Sequence, residues 1–144
     1  MKKINLLLVL VMALMAFTFT VKDINAQSGA VLYFCEQYDS EYGEIGISDR
    51  FTTGYLTVMV KSSTALGLSD VYIQFDKYNC STSEFAYYKK FDYKVTPDMK
   101  YIYFSKNESS DMSFDTPGIY RVFLLDENGN TVASGLIEVI SKKK

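Results

Sequence analysis

Apolar residues alternate with polar ones over several short runs of this chain, and the clearest run is Tyr55–Lys61. There Leu56, Val58 and Val60 fall on one side of an extended segment, and the residues between them fall on the other. A period of two residues is typical of a β-strand with one buried face. Similar runs recur and predict seven or eight strands: Ala30–Cys35, Glu44–Ser48, Tyr55–Lys61, Val71–Tyr78, Phe85–Val95, Tyr101–Phe104, Ile119–Asp126 and Thr131–Ile140.

Turn residues separate these runs at short intervals. Glu127–Asn130 joins the last two runs and contains Asn128-Gly129, a pair that supplies the positive φ angles of a tight hairpin turn. Lys89 interrupts the apolar face of the long run Phe85–Val95, which is typical of a strand at the edge of a sheet. The pattern therefore predicts an all-β fold, a sandwich of about seven to eight antiparallel strands.

The first residues follow a different pattern, that of a secretory signal peptide. Met1-Lys2-Lys3 is basic, residues 4–19 are almost all apolar, and a more polar segment ends at Ala26. The apolar run is shorter than the ~20 residues that span a bilayer, so an uncleaved anchor is the less favoured reading. The sequence predicts a signal peptide over residues 1–26 and a single β-sandwich domain over residues 27–144. We expect export to the periplasm or beyond the cell, with no integral membrane segment left after cleavage.

The segment from Phe114 to Val122 resembles the approach to the penultimate strand of immunoglobulin-like domains. In those domains a turn with Asp and Gly precedes a tyrosine whose hydroxyl bonds back to the main chain, the tyrosine corner. The resemblance implies that Tyr120 has this role. The rest, to Ile140, is similar to the closing hairpin of bacterial secreted immunoglobulin-like and fibronectin-like modules. The resemblance covers Phe114–Ile140 and implies an immunoglobulin-like β-sandwich but no particular function.

Charge and composition exclude several kinds of chemistry. The predicted mature chain carries a net charge of about −4, so it has no positive field with which to hold nucleic acid. The whole chain has 0 His, which rules out Ser–His and Cys–His nucleophile systems and removes the commonest transition-metal ligand. We expect no catalytic residues, no metal site and no cofactor.

The chain has 2 cysteines, Cys35 and Cys80. An even number in an exported chain favours a disulfide between them, which would stabilise the fold by about 3–4 kcal/mol. The alternative is one buried and one exposed thiol.

A group of carboxylates lies in one polar region: Asp39, Glu41, Glu44 and Asp49. A facing pair could hydrolyse a glycoside, and several together could hold Ca²⁺. Their spacing matches neither kind of site, so a solvated acidic loop is the favoured interpretation.

Two pairs of residues are candidates for a binding surface. Arg50 and Phe51 are adjacent in a polar loop, and Arg beside an aromatic residue is common at binding sites. Tyr88 and Lys90 belong to a row of alternate residues that is predicted to face outward. With no catalytic set and all 12 tyrosines in the predicted mature part, we expect a non-enzymatic module that binds a protein or cell-surface partner. The alternative is a domain that binds a carbohydrate or another small ligand through tyrosine platforms, and the oligomeric state stays open.

Overall fold

The computed structural model describes residues 29–105 and 113–142, and within these ranges the chain forms only β-strands, turns and loops. The strands are β1 (Val31–Asp39), β2 (Gly43–Ile47), β3 (Arg50–Thr52), β4 (Gly54–Tyr55), β5 (Thr57–Lys61), β6 (Asp70–Asn79), β7 (Glu84–Lys94), β8 (Tyr101–Phe104), β9 (Ser113–Phe114), β10 (Gly118–Leu125) and β11 (Thr131–Ile140). The predicted all-β fold is confirmed. The predicted signal peptide lies outside the described residues.

Two sheets make up the sandwich. The first has the strand order β2-β1-β5-β8, the second has the order β3-β11-β10-β6-β7, and the short strands β4 and β9 pair with each other. In immunoglobulin-like sandwiches, three strands of one sheet (A, B and E) face three of the other (C, F and G). Here β1, β5 and β8 correspond to strands A, B and E, and β6, β10 and β11 correspond to strands C, F and G. The order of the strands is therefore that of an immunoglobulin-like sandwich.

Strand β3 runs parallel to β11, whereas the other described strand pairs are antiparallel, as predicted. The chain leaves the first sheet after β2 and joins the second beside its last strand. The amide of Glu138 donates to the Asp49 carbonyl (2.7 Å), and the amide of Thr53 donates to the Ile140 carbonyl (2.9 Å). These bonds fix the direction of β3 along β11.

The core lies between the inner faces of the two sheets. It contains alternate residues of the central strands, as the period of two predicts, and several of them are fully buried: Val58, Val60, Val71, Ile73, Tyr120, Val122 and Leu124. Burying an aliphatic or aromatic side chain of this size contributes about 1.5–3 kcal/mol. The sheets approach closely at Gly135, where an added Cβ atom would lie 3.0 Å from the Leu32 carbonyl oxygen.

The predicted disulfide is wrong, since both cysteines are free thiols in the structure. Cys35 is fully buried on β1 of the first sheet. Cys80 is exposed in the turn between β6 and β7, at the end of a hairpin that belongs to the second sheet. The placement is that of the alternative, one buried and one exposed thiol.

Candidate functional site: a tyrosine face on the four-stranded sheet

The outer face of the four-stranded sheet carries a group of tyrosines. On β8, Ile102 and Phe104 point into the core, so Tyr101 and Tyr103 point outward. On β1, Leu32 and Phe34 are core residues, so Tyr33 between them points outward as well.

The sheet register places Tyr33 and Tyr103 on either side of Met59. Tyr38, at the far end of β1, joins this group through its ring contacts. We call Tyr33, Tyr38, Tyr101 and Tyr103, with Glu44 and Lys61, the tyrosine face.

Within the tyrosine face, the Tyr38 ring contacts two other rings. Tyr38 stacks on Tyr103 with ring centroids 4.3 Å apart and planes 24° from parallel. It also contacts Tyr101 at a centroid distance of 5.8 Å. The Lys61 ammonium lies 5.7 Å from the centroid of the Tyr101 ring. Tyr103 is the most accessible of these rings, with 48% of its surface exposed. The result is a continuous aromatic surface with a cation at one side.

Glu44 of β2 supplies the negative charge of the tyrosine face. The Tyr33 hydroxyl donates a hydrogen bond to Glu44 Oε1 at 2.5 Å. Burial and, second, this bond raise the pKa of Tyr33 to about 12. Burial and the same carboxylate also raise the pKa of Tyr101. The hydrogen bond from Tyr33 lowers the pKa of Glu44, so the carboxylate stays ionised and the two hydroxyls stay protonated at neutral pH.

Side chains beneath the tyrosines are shielded from water even though they lie on the outer side of the sheet. Cys35 and Met59 are each 0% exposed, and Thr57 is 2% exposed. Burial raises the pKa of the Cys35 thiol. The outer face of a sandwich usually meets solvent, whereas here the tyrosines cover part of it. The tyrosine rings therefore pack against a layer of buried side chains, the floor of the tyrosine face.

Arg50 and Phe51, one pair of sequence-based candidates, lie on opposite faces of β3. Phe51 is 8% exposed and belongs to the core. Arg50 is exposed, and its Nε donates to the Glu138 carboxylate at 2.6 Å. An open cleft of roughly 500 Å³ beside this ion pair is lined by Ile119 and Leu136. The structure does not bring Arg50 and Phe51 together into one binding surface.

Tyr88 and Lys90, the other pair, are also separated. The pairing of β6 with β7 shifts register between Phe75 and Asp76, opposite Tyr88. Because an extra residue in one strand turns its neighbours to new directions, Tyr88 packs on the core, 5.5 Å from the Tyr120 ring. Lys90 lies over the ring of Tyr72 at 3.9 Å. The single outward row that the alternation predicted does not extend to Tyr88.

Tyr120 lies near the start of β10 and is fully buried. Its hydroxyl donates to the Thr116 carbonyl oxygen at 2.7 Å. Since that bond uses the phenolic proton, the Thr116 hydroxyl is the donor in its 2.9 Å contact with the Tyr120 oxygen. Lys77 Nζ in turn donates to Thr116 Oγ1 at 2.8 Å. A side-chain bond back to the main chain just before this strand is the geometry of a tyrosine corner.

The sequence analysis did not predict the tyrosine face, although the residue pattern of β8 indicates part of it. The alternation of Tyr101 and Tyr103 with Ile102 and Phe104 shows two tyrosines on one side of a strand. The alternation does not show that Glu44 meets Tyr33, because that contact depends on how β1 folds back on β2. Gly43 and Gly46 adopt positive φ angles of 77° and 68° in this hairpin.

Residues 29–105 and 113–142 contain no group of three or more metal-ligating side chains placed to hold an ion. No helix among them is both long and apolar enough to traverse a bilayer.

The chain is similar to an immunoglobulin-like protein. That protein, from Pseudomonas aeruginosa, has a solved structure that matches with a TM-score of 0.44 and 11% sequence identity. The match covers 79% of this chain and 98% of the other. No protein-family model and no curated protein matches the sequence. The assignment of the fold rests on the chain's own strand order.

Proposed function

We propose that this protein is a non-enzymatic, exported binding module that holds a protein or cell-surface partner through the tyrosine face. The observation that carries the proposal is a group of four tyrosines on the outer side of the four-stranded sheet: Tyr38 contacts the rings of Tyr101 and Tyr103, and Tyr33 bonds to Glu44 beside them. Tyrosine buries a large area at a small cost in conformational entropy and is enriched where proteins bind one another. The face is therefore suited to binding.

Rigidity supports this proposal. The strands hold the backbone of the face, and the buried floor formed by Met59 and Cys35 holds the rings from below. A preordered surface binds more tightly because little freedom is lost on association. Glu44 and Lys61 add one charge of each sign, which can orient a partner over the rings.

The N-terminal pattern of the sequence supports export. A basic start, an apolar stretch and Ala26 before the predicted cut are typical of secreted precursors. The periplasm and the space outside the cell both fit this pattern. N-terminal sequencing of the purified protein tests it, since a chain that begins near Gln27 supports export and a chain that begins at Met1 contradicts it.

Binding is tested with immobilised protein and native cell-envelope extract. Tyr103→Ala removes the most exposed ring of the face, and Tyr87→Ala is the matched control because Tyr87 is 66% exposed on the other sheet. Loss of a central aromatic residue weakens binding by about tenfold or more at many interfaces. We expect a partner that both wild type and Tyr87→Ala retain and that Tyr103→Ala loses. Equal retention by all three proteins, or no retained partner, contradicts the proposal.

A carbohydrate is the second candidate ligand. The near-parallel stack of Tyr38 on Tyr103 offers a flat ring surface, and Glu44 and Lys61 provide an acceptor and a donor for sugar hydroxyls. A glycan array separates the two candidates. Glycan binding that is lost in Tyr103→Ala and kept in Tyr87→Ala supports this candidate, and no bound glycan on the array counts against it.

A further inference from the structure

We propose that the partner contributes an extended peptide segment that adds to the four-stranded sheet as a new strand beside β8. The proposal deepens the proposed function and rests on it, because it names how the partner is held next to the tyrosine face. Four features of β8 and its surroundings carry it: the vacant strand position, the free main-chain groups, the adjoining groove and the charges around the edge.

The position beside β8 is vacant among the described residues. In the seven-stranded immunoglobulin arrangement, a further strand flanks the one that corresponds to β8. Here the sheet ends at β8, whose described partner strand is β5. The link between β7 and β8 is only residues 95–100, too short to contain both that strand and its turns.

The main chain of β8 presents hydrogen-bonding groups to this vacant position. The Ser62 amide donates to the Lys100 carbonyl at 2.7 Å, which makes Ser62 and Lys100 a hydrogen-bonded pair of the β5–β8 ladder. Such pairs alternate with pairs whose amides and carbonyls point away from each other. By the register, Ile102 bonds to β5, and the amides and carbonyls of Tyr101 and Tyr103 point to the free edge.

A groove runs beside this edge and can receive side chains of an added strand. It has a volume of roughly 350 Å³ and is lined mainly by apolar and aromatic side chains: Tyr93, Val95, Met99, Ile102 and Phe104. Alternate side chains of a strand point to opposite faces. One set of partner side chains would therefore enter the groove, and the other set would lie beside Tyr101 and Tyr103 on the tyrosine face.

The other sheet edges carry features that oppose strand addition, and β8, which is also short at 4 residues, lacks the rest of them. Strand β7 has a shifted register and a lysine, Lys89, on its core-facing side. Strand β2 contains two glycines with positive φ angles, and β3 has 3 residues. Bulges, inward lysines and short strands are ways in which edges avoid pairing. The described pairing of β8 shows no register shift, and β8 has no residue with positive φ.

The charged residues around β8 indicate which side chains the added peptide segment should carry. Lys94 lines the groove, Lys100 precedes β8, and Lys61 lies over the Tyr101 ring. Asp98 is the acidic residue of the link between β7 and β8. Lys94 pairs with Asp70 at 4.0 Å, and Glu44 is bonded to Tyr33. Lys61 and Lys100 therefore leave an excess of positive charge over Asp98 around this edge. We therefore expect an extended segment that alternates apolar with acidic side chains.

The test uses the chain purified from an export-competent host and a phage-displayed library of random dodecapeptides. We expect enriched peptides in which apolar residues alternate with Asp or Glu. A selected peptide is then synthesised with an N-methyl group at each position in turn. Methylation at every second residue should weaken binding by about tenfold, since it removes a main-chain donor, and methylation at the residues between should not. A loss that does not alternate overturns the proposal, and so does a library that yields no binder.

Two variants separate this mode of binding from the tyrosine face itself. Tyr103→Pro removes both the ring and the outward amide, and an edge strand accepts proline where its N–H faces solvent. Tyr103→Ala removes the ring and keeps the amide. We expect Tyr103→Pro to bind the peptide about tenfold more weakly than Tyr103→Ala does. Equal binding by the two variants, each weaker than wild type, overturns strand addition but leaves the tyrosine face as the binding surface.

Amide hydrogen exchange keeps the test decisive if Tyr103→Pro fails to fold. In the wild-type protein, the peptide should slow exchange at the Tyr101 and Tyr103 amides, while the Ile102 amide is already slow in the free protein. Unchanged exchange at Tyr101 and Tyr103 with peptide bound overturns the proposal. A free protein that sediments as a dimer, with those two amides already slow, places a second copy at this edge and also overturns it.

Discussion

The Tyr33 hydroxyl donates a hydrogen bond to the Glu44 carboxylate, and this bond joins β1 to the edge strand β2 across the outer face of the sheet. The residues lie 11 positions apart in the sequence. Burial and, second, the same carboxylate raise the pKa of Tyr101 on β8, at the opposite edge. One side chain therefore connects both edges of the four-stranded sheet, and its removal should affect titration and stability together.

Glu44→Gln should reduce the loss of stability at high pH. Tyr33 has a pKa of about 12 in the folded protein against 10.0 in the unfolded chain, so the folded state holds this proton more tightly. This contribution to the free energy of unfolding is fully present below pH 10.0 and is lost as the pH rises toward about 12. Glu44→Gln removes the charge that helps raise this pKa and leaves burial in place.

Urea unfolding at a series of alkaline pH values measures the effect. We expect a shallower fall of the free energy of unfolding with pH in Glu44→Gln than in wild type. Glu127→Gln, in the exposed turn of the β10–β11 hairpin, is the control and should follow wild type. The same slope in all three proteins contradicts the assigned role of Glu44.

Tyr120→Phe should destabilise the fold by about 1–2 kcal/mol, because it deletes the buried hydroxyl that bonds to the Thr116 carbonyl. Chemical denaturation measures the change. Tyr87→Phe, at an exposed position, should change the free energy of unfolding by less than about 0.5 kcal/mol. An equally small effect of Tyr120→Phe would mean that the corner contributes nothing to stability.

Cys80 should react quickly with a thiol reagent in the native protein, and Cys35 should react only after unfolding. Cys80 is exposed, whereas burial removes Cys35 from the reagent and raises the pKa of its thiol. Native protein should therefore release one equivalent of chromophore from an aromatic disulfide reagent, and denatured protein should release two. No reaction in denaturant without a reductant would show a disulfide and contradict the structure.

Gly135→Ala should destabilise the sandwich by about 1–3 kcal/mol. The added Cβ atom would lie 3.0 Å from the Leu32 carbonyl oxygen and 3.2 Å from the Phe34 ring, so β1 and β11 would have to separate. Thermal unfolding measures the loss. Ser134→Ala, at the adjacent exposed position of β11, is the control and should unfold like wild type.

The sequence predicted the fold well where burial alternates regularly. Val71, Ile73 and Phe75 are buried as their spacing requires, and Thr131–Ile140 is a strand with the predicted limits. In these strands, burial follows from the hydrophobicity of each residue, so a single sequence is enough to predict which side chains are buried. The candidate site could not be predicted in this way.

The contacts that define the site depend on register, which residue types do not reveal. A register shift opposite Tyr88 turns that ring onto the core, and the sequence contains no sign of the shift. Tyr38 meets Tyr103 only because β1 and β8 flank β5 in the same sheet. Neither contact follows from spacing along the chain.

Photo-crosslinking in living cells tests most directly whether the tyrosine face binds a partner. A benzophenone amino acid replaces Tyr103 in one variant and Tyr87 in another, so that each of the two sheets carries one probe at an exposed tyrosine. We predict a discrete crosslinked adduct from position 103 and none from position 87. Adducts from position 87 alone, or from neither position, would contradict the account.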